Sequence, residues 1–174
     1  AAHFAQQDPL DYRLKLLGGK PRFQKVLETV ARKSKWRRTL PKGHGLGISI
    51  HKTRGSIVGA VIEVFMDTSG ILTLNKAWIA IDCGKVINPD TVRAQMEGGF
   101  TFGLSAALGE EITLKDGRVE QSNFHDYPIL RLKGSPLISV EMIESNNEIG
   151  GVGEVAVPLA APALANAIFS ASGR

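Results

Sequence analysis

A chain of 174 residues is long enough for one domain with a substantial core, or for a portion of a larger one. With 43% hydrophobic and 22% charged residues, it lies in the ordinary globular range, which excludes a disordered chain. Much of the formal charge of +4 sits in one run, Ala31-Arg32-Lys33-Ser34-Lys35-Trp36-Arg37-Arg38. It reads as a solvated helix end whose cations suit the C-terminal dipole; no aromatic ladder or base-reading motif marks it as a nucleic-acid surface. The single cysteine, Cys83, allows neither an internal disulfide nor a zinc-ligand spacing. The longest apolar stretch, residues 155–169, is shorter than a membrane span and contains Pro158 and Pro162, so no membrane span is expected. No signal-peptide pattern precedes the first element, and the chain, opening on Ala1, reads as a portion of a larger or processed protein.

Asp8 is placed to cap a first helix, with Pro9 in its first turn and Leu10, Leu14 and Leu17 on one face until Gly18-Gly19. A second helix follows Pro21, with Phe23, Val26, Leu27 and Val30 at helical spacing. From Gly45 the period changes to two. Ile48 and Ile50, then residues 57–65, then residues 71–81 read as strands of a hairpin or meander, the last two joined by Asp67-Thr68-Ser69-Gly70. Asn88 and Pro89 predict the start of a helix reaching about Leu108. Asp116-Gly117 predicts a second hairpin between residues 111–114 and 118–120. A further strand is expected over residues 137–143 and a last helix between Pro158 and Ser170. This mixed order favours an α+β fold of mixed sheets with packed helices, residues 1–40 forming a helical lead-in.

Two stretches stand out chemically. In the third predicted helix, Gln95, Gly98, Gly99, Phe102 and Gly103 share one face. Glycine inside a helix costs about 1 kcal/mol relative to alanine, so the stripe implies a close approach to the backbone. Either another element packs there, or a ligand lies along it with Gln95 hydrogen-bonding it. The second stretch, Gly150-Gly151-Val152-Gly153-Glu154, puts a carboxylate directly after a glycine-rich turn. Gly151, Gly153 and Ala156 match the dinucleotide-binding pattern, but no strand feeds into it and Pro158 follows, so the match is set aside. Held on such a loop, Glu154 can serve as a general base if partial burial tunes it; a plain surface turn is the competing reading. The histidines His3, His44, His51 and His125 have no metal-ligand spacing, and Asn123-Phe124-His125-Asp126-Tyr127 reads as a structural loop.

Several stretches in this order resemble the large subunit of the molybdenum hydroxylase family, in particular its isoquinoline 1-oxidoreductase and aldehyde dehydrogenase branch. They are Asp8-Pro9-Leu10-Asp11-Tyr12-Arg13-Leu14, Asp82-Cys83-Gly84-Lys85-Val86-Ile87-Asn88-Pro89-Asp90 and Ala94-Gln95-Met96-Glu97-Gly98-Gly99, then Gln121-Ser122-Asn123-Phe124-His125-Asp126-Tyr127 and Gly151-Val152-Gly153-Glu154. Ala161-Pro162-Ala163-Leu164-Ala165-Asn166-Ala167-Ile168-Phe169 follows the last. The resemblance spans almost the whole chain and implies that residues 1–174 are the C-terminal portion of a molybdopterin-binding subunit.

The resemblance also implies roles. Glu154 becomes the active-site base beside molybdenum, and Gln95, Gly98, Gly99, Gly151 and Gly153 become cofactor-binding residues. The implied cofactor is molybdopterin, as its cytosine dinucleotide in bacterial members. The implied reaction hydroxylates an N-heterocycle or oxidises an aldehyde with oxygen from water. Electrons then pass to [2Fe-2S] clusters on a partner subunit. Two stretches depart from the family pattern, Glu148-Ile149-Gly150 before the glycine turn and His51-Lys52-Thr53-Arg54-Gly55, and both bear on substrate preference. The family's earlier cofactor loops and much of its substrate pocket would precede Ala1, so the chain is expected to hold part of the site and to be inactive alone. The alternative is a non-catalytic ligand-binding or assembly module that keeps the scaffold.

Overall fold

The computed structural model of the chain describes residues 1–173. Its helices are α1 (Pro9–Leu16), α2 (Pro21–Ser34), α3 (Pro89–Leu108) and α4 (Val157–Ser172). The strands are β1 (His44–Thr53), β2 (Ser56–Met66), β3 (Leu72–Asp82), β4 (Leu114–Lys115), β5 (Arg118–Val119) and β6 (Leu137–Met142). This is the α+β class that the sequence predicts. The predicted caps are in place: the Asp8 carboxylate accepts from the N–H groups of Leu10 (2.8 Å) and Asp11 (3.1 Å). The Asn88 side chain accepts from those of Asp90 and Thr91, both at 3.1 Å. Each satisfies amides that a helix start leaves without partners.

The main sheet has the order β1-β2-β3-β6, antiparallel within the β1-β2-β3 meander, with β6 added parallel to β3 after the α3 crossover. Helices cover both faces. Val26, Leu27 and Val30 of α2 pack on Leu46, Ile48, Ile57, Val61 and Ala80. On the other face, α3 and α4 bury Met96, Phe100, Leu104, Leu159, Ala160 and Ala163 against Val58, Ala60, Ile62 and Val64 of β2 and Ala77, Ile79 and Ile81 of β3. Because β2 is covered on both sides, both of its alternating sets are apolar. In β3 the parity changes at a bulge, since Glu63 pairs with Lys76 whereas Val64 pairs with Leu74, leaving Asn75 as the extra residue. Leu72 and Leu74 thereby reach the same core as Ala77, Ile79 and Ile81.

Close approach of α4 to β1 fixes the site's frame. A β-carbon at Gly47 would lie 2.0 Å from the Ala163 carbonyl oxygen, and one at Gly45 would lie 2.2 Å from that of Ala167. Polar bonds lock the contact: the buried Ser49 hydroxyl donates to the Leu159 carbonyl (2.9 Å), and the Asn166 amide donates to that of Ile48 (3.1 Å).

Two expectations change. The second hairpin turns at Asp116 and Gly117 (φ 51° and 75°) but pairs only two residues on each side. Its Leu114 and Val119 are exposed, so no core extends the ladder. The basic run is not a simply solvated helix end. Arg37 pairs with Asp11 (2.6 Å), Lys33 with Glu141 (2.7 Å) and Arg38 with Glu63, and the Arg38 guanidinium stands 5.4 Å from the Trp78 ring centre. Among the described residues, no helix is long and apolar enough to cross a membrane.

Because the atoms facing Gly47 are backbone and cannot rotate away, Gly47→Ala should destabilise the protein by about 3 kcal/mol, the upper range for overpacking. The check is the denaturant midpoint of the complete subunit. A midpoint unchanged from the unaltered protein would mean that β1 and α4 are not in backbone contact.

Candidate functional site

Three segments converge where β3 ends: the turn between β1 and β2, residues 82–84, and the loop from β6 to α4. Asp82, 2% exposed, anchors them. Arg22 of α2 donates to its carboxylate from Nε (2.8 Å) and Nη2 (3.0 Å), and Nη2 also reaches the Asp82 carbonyl (3.0 Å). The Gly84 N–H (3.0 Å) and the Ser145 hydroxyl (2.8 Å) complete the set. Burial is the largest single influence on this carboxyl and pushes its pKa up. The bonds from Arg22, Gly84 and Ser145 together with the Arg22 charge outweigh it, leaving the pKa below the ordinary 3.8. The neighbouring Cys83 thiol is buried, which raises its pKa and leaves it an apolar core group.

From this anchor the loop is held step by step. Gly84 takes the left-handed conformation (φ 75°), and a β-carbon there would come 2.4 Å from the Glu148 carbonyl oxygen. The Gly150 N–H donates to the Cys83 carbonyl (2.9 Å) and the Gly151 N–H to that of Arg54 (2.8 Å). The Ser56 hydroxyl donates to the Gly151 carbonyl at 2.6 Å. Beyond that point Gly153 is open, with nothing within 4 Å of a β-carbon built on it, and Glu154 is exposed. Val155 and Ala156 then enter the core, and the Glu154 carbonyl accepts the Val157 N–H (3.1 Å) as α4 begins. Glu154 thus stands on a short exposed span tied at both ends. Its carboxylate has no hydrogen-bond or ion-pair partner among the described residues. The burial considered for this carboxylate is therefore not supplied by these residues.

The glycine stripe of α3 divides. A β-carbon at Gly103 would meet the Val157 carbonyl oxygen at 2.5 Å, so helix packing demands glycine there, whereas one at Gly99 would meet the Ala156 β-carbon at 3.4 Å, about ordinary contact distance. Gln95 and Phe102 are exposed, and nothing lies within 4 Å of a β-carbon at Gly98. The Gly99 contact places that glycine, next in sequence to the open Gly98, against Ala156, two positions after Glu154. Gly151 is exposed, with the Arg54 side chain along one side of it, the Arg54 β-carbon lying 3.0 Å from where one at Gly151 would stand. An open groove of about 830 Å³ lined by Lys85, Val86 and residues 144–149 follows the same loop but includes none of the predicted site residues.

Sequence reasoning did not single out Arg22, Asp82 or Ser56. An aspartate closing the apolar run Ile79-Ala80-Ile81 was the available signal for a buried, partnered carboxylate. The 123–127 loop is structural, as expected: N–H groups of Asn123 and Ser122 hold the Asp126 carboxyl down to about 2. The Tyr127 hydroxyl donates to Glu110 (3.0 Å). No group of three or more metal-ligating side chains exists among the described residues.

A helix-covered mixed sheet with an exposed carboxylate on a glycine turn, and with an open glycine on a helix packed against the element that follows it, has the features of a cofactor-binding domain. The sequence profile of the molybdopterin cofactor-binding domain matches residues 24–136, and the chain belongs to the molybdenum hydroxylase family. It is 39% identical over 171 residues to isoquinoline 1-oxidoreductase subunit beta of Brevundimonas diminuta, covering 96% of this chain and 22% of that protein. Quinoline 2-oxidoreductase of Pseudomonas putida superposes with a TM-score of 0.63 at 26% identity, over 68% of this chain and 16% of that one. The aldehyde oxidoreductase of Desulfovibrio desulfuricans gives 0.61 at 26% identity, over 68% and 14%. The chain spans about a quarter or less of the curated relatives it matches. Gln95, Gly98 and Gly99 lie inside the profile match, whereas Gly151, Gly153 and Glu154 lie beyond it.

Removing the Asp82 charge strands the Arg22 guanidinium, and breaking a buried pair in this way costs about 3 kcal/mol or more. Asp82→Asn should therefore lower stability at neutral pH by about that amount. Because the folded pKa is depressed, the contribution is fully present above the ordinary value of 3.8 and is lost as pH falls through the folded value. Stability curves of the two proteins should accordingly converge in acid; a constant gap down to the lowest pH would show that the charge is not responsible.

Proposed function

We propose that these residues form the C-terminal portion of the molybdopterin-binding subunit of an oxidoreductase that hydroxylates an N-heterocycle or oxidises an aldehyde, with Glu154 as the base. The observation that carries this reading is the Glu154 carboxylate: exposed, unpartnered among the described residues, and on a span tied at both ends, with open backbone at Gly153 just before it and at Gly98, one residue before the Gly99 that meets Ala156. That backbone is a surface a flat ligand can approach closely, so these residues fit one side of a pterin. Gln95, on the exposed side of α3, would hydrogen-bond it, and Gly98, Gly99, Gly151 and Gly153 would border it. We take the cofactor to be the cytosine dinucleotide form.

When bound, the molybdenum cofactor supplies the two-electron oxidation of substrate with oxygen drawn from water. The chain's own part is to hold the Glu154 carboxylate oxygen where it accepts a proton as the substrate carbon is oxidised. With Cys83 as the sole cysteine of its sequence, the chain carries no cluster of its own, and the electrons leave to [2Fe-2S] clusters on a partner subunit. Isoquinoline, quinoline and aldehydes in the relatives' names support the substrate classes. The 174 residues alone are proposed to be inactive, because they match about a quarter or less of those relatives' length.

Replacing Glu154 by glutamine keeps volume and polarity but removes the base. In the complete, cofactor-loaded enzyme, Glu154→Gln should slow reduction by substrate about 10²- to 10⁴-fold with molybdenum content unchanged. Rapid-mixing reduction is the measurement, and a rate within a few-fold of the unaltered enzyme would remove Glu154 from the mechanism. At Gly98, leucine favours the helix by about 1 kcal/mol yet fills the open face. Gly98→Leu should lower pterin content without lowering the melting temperature; full occupancy would show that no ligand lies against Gly98. Stoichiometric molybdenum in the isolated 174-residue chain would contradict the proposal that it holds only part of the site.

A further inference from the structure

We propose that Ser56 is a positioning residue for the Glu154 carboxylate, an inference that rests on the reading of Glu154 as the base. With no side-chain partner among the described residues, Glu154 owes its position to its backbone. That backbone is poorly self-supporting, because Gly150, Gly151 and Gly153 leave it broad conformational freedom. Downstream, Val155 and Ala156 hold it in the core. Upstream, the Val152 side chain packs partly buried against the core, and the nearest hydrogen-bonded anchor is Gly151, whose polar groups are both committed to the turn between β1 and β2: its N–H to the Arg54 carbonyl (2.8 Å), its carbonyl to the Ser56 hydroxyl (2.6 Å). Among the described residues, Ser56 is the only side chain that hydrogen-bonds any of residues 150–154.

Ser56 is built to hold a fixed position. It is fully buried, opens β2, and sits in sheet register opposite Thr53 across a turn whose Arg54 and Gly55 are left-handed (φ 49° and 83°). The loop is seated against it, since a β-carbon at Gly150 would come 2.3 Å from the Ser56 oxygen. Losing the hydroxyl leaves the Gly151 carbonyl without its donor, so that residues 151–153 can shift about the Gly151 N–H bond to Arg54 and the Val152 contact that remain. A carboxylate displaced by about 1 Å loses up to about 10²-fold in rate while substrate binding elsewhere is untouched.

The test uses the complete, cofactor-loaded enzyme. Ser56→Ala should lower the rate of reduction by substrate about 10- to 100-fold with KM and molybdenum content nearly unchanged. Ser56→Cys, with similar volume and a weaker donor, should lie between. Hydrogen exchange should quicken at residues 150–155 and not in the main sheet. In a Glu154→Gln background, Ser56→Ala should cause no further loss, because the group it positions is gone. An equal loss in both backgrounds, lost molybdenum in place of lost rate, or unchanged exchange at residues 150–155 would overturn the positioning role. So would Ser56→Cys behaving as the unaltered enzyme while Ser56→Ala is impaired. If Glu154→Gln alone proves neutral, the base assignment fails and the inference falls with it. An impaired Glu154→Gln enzyme with an additive Ser56→Ala effect defeats the inference alone.

Discussion

A carboxylate buried at the end of a central strand needs partners, and Asp82 finds them by gathering the chain around itself. Two donors from one guanidinium, a backbone N–H and a hydroxyl offset its desolvation, and they come from α2, from the residue pair just beyond β3, and from the loop after β6. Arg22 and Asp82 are 60 residues apart in sequence. A pair of this kind adds little net stability over an apolar contact, but it tolerates few arrangements. Its effect is to specify where the loop carrying Glu154 departs from the sheet.

The second constraint is steric. Gly45 and Gly47 let α4 lie backbone to backbone on β1, which sets where α4 begins and hence where the residue before its first turn stands. Gly103 does the same for α3 against α4. Together these contacts pack α3 against the start of α4 while leaving Gln95, Gly98 and Glu154 exposed. A scaffold rigid at its bonded positions and bare at its presented ones is suited to forming one wall of a cofactor site.

Much of this was legible along the chain because it depends on neighbours in sequence. Capping by Asp8 and Asn88, the helical spacing of α2 and the apolar runs of β2 and β3 each follow from local geometry. The departures share a different cause. The bulge at Asn75, which carries Leu72 and Leu74 onto the core face, depends on pairing with Glu63 and Val64 of another strand. The basic run at the end of α2 reads as solvated in sequence because its carboxylate partners, Asp11, Glu63 and Glu141, are scattered from one end of the chain to near the other.

The candidate site divides along the same line. Sequence by itself determined which groups exist to do chemistry: a carboxylate after a glycine turn, a helix face without side chains, and a run of motifs whose order resembles one enzyme family. Tertiary structure decided what each is free to do. It assigned Gly103 to packing while leaving Gly98 open, and it left Glu154 exposed, without the partial burial that would tune a base. It also recruited Ser56, 95 residues before its partner Gly151, to hold the loop. Side-chain chemistry is a property of single residues, whereas position and exposure depend on which distant segments the core, the glycine contacts and a buried ion pair bring together.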